Sequence, residues 1–154
     1  MDDNYYSGLV DTIEVIKASD TDTLFFHALI YLNTSLHEYK KTAFVMFQEI
    51  VKRDPNYRSP DGDTAYYYLG NIGRMSLQKI EWAIEQYTKA IEIDPVDFWS
   101  LHSRGLCWIE LENWEQALSD LNRALNLVGG DEKEIPDIEF HIHAAKNKLA
   151  GATM

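Results

Sequence analysis

The chain has 154 residues, 45% apolar and 25% charged, a balance that suits one globular domain with a core and excludes a disordered chain. Asp and Glu outnumber Lys and Arg by 25 to 14, for a formal net charge of −11. That excess repels phosphate backbones and anionic lipid, which argues against nucleic acid and membrane surfaces as partners.

In chain order, residues 1–20 predict an N-terminal amphipathic helix, with Tyr6, Leu9, Val10, Ile13 and Ile16 at helical spacing. Its start, Met1-Asp2-Asp3-Asn4, lacks the basic and apolar regions of a signal peptide. No stretch approaches the roughly 20 apolar residues of a membrane helix, so a cytoplasmic protein is expected. Residues 1–23 carry a net charge of −5, which suits either a solvated helix or the steering of a basic partner.

Residues 22–55 contain Ala43, Phe47, Ile50 and Pro55, an apolar face ending on a proline that stops a helix. The preceding run Phe25-Phe26-His27-Ala28-Leu29-Ile30-Tyr31 fixes no single register. A turn-rich loop, Tyr57-Arg58-Ser59-Pro60-Asp61-Gly62, follows. Residues 63–97 then give two helices: Tyr66, Leu69 and Gly70 mark the first, and Ala83, Tyr87, Ala90 and Pro95 the second. Residues 98–129 repeat the plan, with Leu101, Gly105 and Trp108, then Ala117, Leu121, Ala124 and Gly129, the second set displaced by 34 residues. Residues 136–150 open on Pro136-Asp137 and place Ile138, Ile142, Ala145 and Leu149 on one side, a closing helix. Three hairpins and two terminal helices make about eight helices in all.

The period and its residues resemble the tetratricopeptide repeat, whose pattern runs W-x-x-L-G-x-x-Y, then A-x-x-x-F, then A and P. Residues 63–128 carry the resemblance most fully; in 24–55 only the second helix carries it. It implies an all-α solenoid of helix hairpins, a single domain over 1–154 capped at both ends. Departures stand at Gly73 where the pattern has Tyr, at Arg104 where it has Leu, and at Gly129 where it has Pro. The glycines at 70 and 105 are 35 apart instead of 34, so one residue is inserted around Ser76–Lys79.

The resemblance also implies that first helices line a concave groove that receives a peptide segment or a helix of a partner. With Tyr66, Leu69, Leu101 and Trp108 facing the core, the groove candidates are Tyr67, Tyr68, Asn71, Arg74, Trp99, His102, Ser103 and Leu106. Rigid aromatics beside an amide and a guanidinium suit a binding hot spot; the alternative is that Trp99 and one Tyr only seal the packing between repeats. Trp82 stands where the pattern has a polar, outward residue, and is a candidate second interface unless the inserted turn residue rotates it into the core. One subfamily reads acidic chaperone tails through Lys, Asn and Arg; here only Asn71 and Arg74 qualify, and the acidic balance of the chain favours a neutral or basic segment. In length, acidity and three-repeat layout the chain is similar to the small chaperones of bacterial type III secretion.

No chemistry is evident. Phosphate-binding, dinucleotide-binding and nucleophile-elbow motifs do not occur. Cys107 stands alone and forms neither a disulfide nor a zinc cluster. His141 and His143 point some 200° apart on a helix and make a poor metal pair. The expectation is a protein-binding adapter or chaperone-like module without catalytic residues, metal or cofactor. A self-associating assembly subunit or homo-oligomer and a cryptic enzyme are the alternatives.

Overall fold

The computed structural model describes residues 13–34, 37–127 and 133–152. Residues 13–18 (α1) are helical, followed by α2 (Thr21–Leu32), α3 (His37–Arg53), α4 (Ala65–Met75), α5 (Ile80–Ile93), α6 (Phe98–Glu110), α7 (Trp114–Leu127) and α8 (Ile135–Ala152). Among the described residues there is no strand, only one isolated bridge between Arg58 and Thr64, and the all-α expectation holds. No described helix is long and apolar enough to cross a membrane. The expected positions Tyr6, Leu9, Val10 and Gly129 lie outside the described residues. The chain divides into two compact units between Leu69 and Gly70, within α4.

In the first unit α2 starts at Asp20, whose carboxylate accepts from the Thr23 backbone N–H at 2.9 Å, satisfying a donor that has no partner inside the helix. Leu24, Phe25 and Ala28 are buried against α3, where Ala43, Met46, Phe47 and Ile50 are fully enclosed. The ambiguous run thus takes the register that turns Phe25 and Ala28 inward, and Phe26 and Ile30 remain exposed. Phe25 lies edge-on to Phe47 at 5.7 Å and 5.5 Å from the buried Tyr57. Tyr57 donates its hydroxyl to Asp22 at 2.7 Å, and burial, with that carboxylate, pushes its pKa up. The loop after α3 therefore carries an anchor in the core. Arg53 donates to the carbonyls of Ser19 and Ile16 at the end of α1, supplying partners that the last turn lacks.

In the second unit α5, α6, α7 and α8 pack in succession. The glycines sit where side chains from the next helix arrive. A Cβ on Gly70 would lie 2.5 Å from the Tyr87 ring, and one on Gly105 would lie 2.8 Å from Leu121 Cγ. Gly73 follows the same logic: its missing side chain makes room for the Trp82 ring, 2.6 Å from where a Cβ would stand. The inserted residue is visible in the turns. Lys79 N–H reaches back to the Gly73 carbonyl, whereas Asn113 N–H in the next hairpin reaches only to Trp108. Each turn places one residue in the left-handed region, Gln78 and Glu112.

Arg104, the departure on α6, forms a fork with Asp120 of α7 at 2.7 and 2.8 Å and donates to Thr88 Oγ1 of α5 at 2.9 Å. Their side chains are 15% and 4% exposed. One polar link therefore joins three helices where the repeat pattern has an apolar contact.

Candidate binding surface

The α6 helix sorts its side chains by angle. Leu101 and Gly105 are buried toward α7, which leaves Trp99, Ser103, Leu106 and Glu110, spaced by four, three and four residues, on the opposite face. Trp99 is 48% exposed, and its ring stands edge-on to Phe98 at 4.8 Å. Phe98 in turn packs against two clusters of the core, one with Ile91, Leu101 and Ala124 and one with Leu121, Ile138 and Ile142. The exposed indole therefore rests on a fixed base.

From α4, Arg74 Nε donates to Glu110 at 2.7 Å, both side chains partly exposed. The Asn71 amide oxygen accepts the Tyr87 hydroxyl at 2.7 Å, so that side chain is held by the packing of α4 on α5. His102 is buried at 7% exposure and stacks on Phe98 at 5.9 Å. Its Nε2 lies 3.3 Å from Asp137 Oδ2 at the start of α8, close enough to pair when the imidazole is charged, yet not aligned as a hydrogen bond. The other Asp137 oxygen is 3.6 Å from His141 Nε2. Burial holds His102 below its ordinary pKa, against the opposing pull of Asp137.

Asn71, Arg74, Trp99, His102, Ser103 and Leu106 thus lie in the second unit, and Tyr67 and Tyr68 in the first. Tyr68 is stacked on Phe47 at 5.1 Å and donates to Asp63 at 3.1 Å, which makes it part of the aromatic core of that unit. Tyr67 is half-buried, edge-on to Tyr68. Trp82 is half-buried over Gly73. Sequence reasoning did not bring in Glu110, Asp137 or His141, because the nearness of Glu110 to Arg74 depends on how α6 lies beside α4, and that of Asp137 and His141 to His102 on how α8 docks. Cys107 is fully buried and its thiol is pushed up to about 12 by burial, far from a reactive thiolate. Among the described residues no group of three or more His, Cys, Asp or Glu side chains could hold a metal ion.

No protein-family model matches the chain. Solved structures do match. The type III secretion translocator chaperone SycD of Yersinia enterocolitica superposes with a TM-score of 0.71 over 90% of this chain and 93% of its own, at 17% identity. The first TPR of Spaghetti (RPAP3), bound to the HSP90 peptide SRMEEVD, gives 0.68 over 84% and 93%, at 16% identity. PcrH in complex with the chaperone binding region of PopD gives 0.60 over 88% and 95%, at 20% identity. The chain has a tetratricopeptide-repeat fold. Within it α6 packs on α7, and α7 on α8.

Proposed function

We propose that this protein is a cytoplasmic protein-interaction module, adapter or chaperone-like, that holds a segment of a partner on the face bearing Trp99, Ser103, Leu106, Arg74 and Glu110, and that it works by binding rather than catalysis. The exposed Trp99 on its Phe98 base carries the reading. A rigid aromatic that is not consumed by the core loses little conformational entropy on binding, which is the usual make-up of an interface anchor. Support comes from the neighbours that share the fold: the RPAP3 domain is bound to a peptide, and PcrH to a region of PopD. The segment bound here differs from SRMEEVD in charge. Arg74 is already engaged by Glu110 and Asp137 stands beside His102 on α8, so an acidic tail would meet carboxylates instead of open cations. A neutral or basic segment fits.

The test is affinity purification with the wild-type chain and with Trp99→Ala, followed by titration of the segment recovered. We expect Trp99→Ala to weaken that segment tenfold or more, about 1.4 kcal/mol, with the melting temperature little changed. Equal affinity in a folded variant would remove the face from consideration. Tyr68 is unsuited to the same test, since its ring is stacked on Phe47.

One observation favours a second reading, assembly through self-association. Phe26 and Ile30 lie one turn apart on α2 and are 62% and 50% exposed, an apolar stripe of the kind that meets another chain. Light scattering of the wild type against Phe26→Ser/Ile30→Ser decides it; a monomer in both removes this reading.

A further inference from the structure

The surface around His102 offers one feature that the binding reading leaves unexplained. Asp137 is 55% exposed, and both its oxygens face histidines, His102 Nε2 at 3.3 Å and His141 Nε2 at 3.6 Å. Neither an arginine nor a lysine pairs with it among the described residues. His102 is more than nine-tenths buried, and its Nε2 has no hydrogen bond. A buried polar atom left so costs free energy. The charged groups around His102 are Asp137 and His141 on α8, Glu134 just before it, and Arg74 on α4. Arg74 is engaged by Glu110. Among these groups the carboxylates Glu110, Glu134 and Asp137 outnumber the one guanidinium.

We infer that Asp137 is the receptor for a lysine or arginine of the bound segment, and that His102 and His141 are built-in competitors that take over its carboxylate when they are protonated. This rests on the proposed binding face and names the chemistry of what it selects. While the imidazoles are uncharged, Asp137 is open to a cation approaching from solvent. Histidine gains its charge as pH falls below neutrality. Two imidazolium groups then neutralise the carboxylate from the protein side, and the partner's cation loses its counter-charge. Part of the attraction of Asp137 is to the amino end of α8, whose dipole favours a carboxylate. That role would not change with the charge of a ligand, and the test separates the two.

The probes are two fluorescein-labelled amphipathic peptides of 18 residues, one of leucine and lysine and one with glutamate in place of lysine, followed by fluorescence anisotropy. At pH 7.5 the lysine peptide should bind the wild-type chain at least tenfold more tightly than the glutamate peptide. At pH 5.0, with the circular dichroism unchanged, its affinity should fall about tenfold. Asp137→Asn should weaken the lysine peptide several-fold at pH 7.5 and flatten the pH profile, whereas Glu139→Gln, also an exposed acid of α8, should alter neither. Should Asp137→Asn loosen α8, His141→Gln serves instead: it should keep the affinity at pH 7.5 and reduce the loss at pH 5.0. The inference is overturned if Asp137→Asn and Glu139→Gln act alike, or if His141→Gln leaves the pH dependence untouched. Failure of the binding face itself would look different, since Trp99→Ala would then leave the lysine peptide unaffected; if only the present inference fails, Trp99→Ala weakens binding and Asp137→Asn does not.

Discussion

Arg104 shows how one residue can leave the repeat pattern without leaving the fold. Where the pattern calls for Leu, the guanidinium reaches Asp120 through two bonds and Thr88 through a third. A planar fork matched to a carboxylate is the geometry in which a desolvated ion pair is best satisfied. Removing one partner strands the other. Arg104→Leu, although it restores the consensus, should lower unfolding stability by about 3 kcal/mol, because Asp120 is almost fully enclosed and its other cation, Arg123, is 3.9 Å away and more exposed. The double change Arg104→Leu/Asp120→Leu should recover most of that loss, since well-packed apolar residues often replace a buried pair at little cost. Urea denaturation of the four proteins measures the coupling, and additive losses would contradict it. From the sequence Arg104 was visible as an exception, but its reason was not. Asp120 follows Ala117 by three residues and reads as an ordinary polar position until α6 is laid against α7. The same holds for Gly73 and Trp82, two departures nine residues apart that become one fitted contact.

At the scale of the helix pair, legibility follows from what carries the period. Second helices bury an Ala, an aromatic or Leu, and a further small or β-branched residue at fixed spacing, so Ala43/Phe47/Ile50, Ala83/Tyr87/Ala90 and Ala117/Leu121/Ala124 could be read directly, and all nine are fully buried. The first helix of the first hairpin could not, since α2 has apolar residues on every side and its periodicity is weak. Its register is set by the aromatic cluster of Phe47, Tyr57 and Tyr68, which a linear pattern does not contain. The inserted residue in the 76–79 turn was legible from the glycine interval alone. The glycines themselves make a direct test of the pairing. In α6, Gly105 admits Leu121 at a distance no Cβ tolerates, so Gly105→Leu should cost about 1–3 kcal/mol or more by overpacking and lower the melting temperature by several degrees. A melting curve unchanged from wild type would mean that α6 and α7 do not meet at this position.

For the whole molecule, the sequence conveyed the fold further than the surface. The helical segments of the described residues and the inward Leu101 were available from spacing. The division of the remaining aromatics between core and surface was not, because a residue 100° from the core axis can face a neighbouring helix or solvent, and spacing alone does not say which. Tyr68 turned toward Phe47 and His102 toward α8, while Trp99 turned outward. That placement of His102 has a consequence for the stability of the chain. Its pKa is lowered in the folded state, burial outweighing the pull of Asp137, so the unfolded chain binds a proton more readily than the folded one. By linkage, stability is fully present above the unfolded value of about 6.5. It declines as pH falls from there toward the lowered folded value, below which this contribution levels off. Carboxylate effects such as that of Asp20, whose pKa is lowered first by its Thr23 bonds, enter only at more acidic pH. We therefore expect the urea midpoint of the wild type to fall between pH 7.5 and pH 5.5, and His102→Gln to lose most of that dependence while remaining folded. Following the His102 Cε1 proton by nuclear magnetic resonance through the same range gives the site-specific check. If His102 titrates above the free histidine value, Asp137 dominates over burial, and acid should instead tighten the docking of α8.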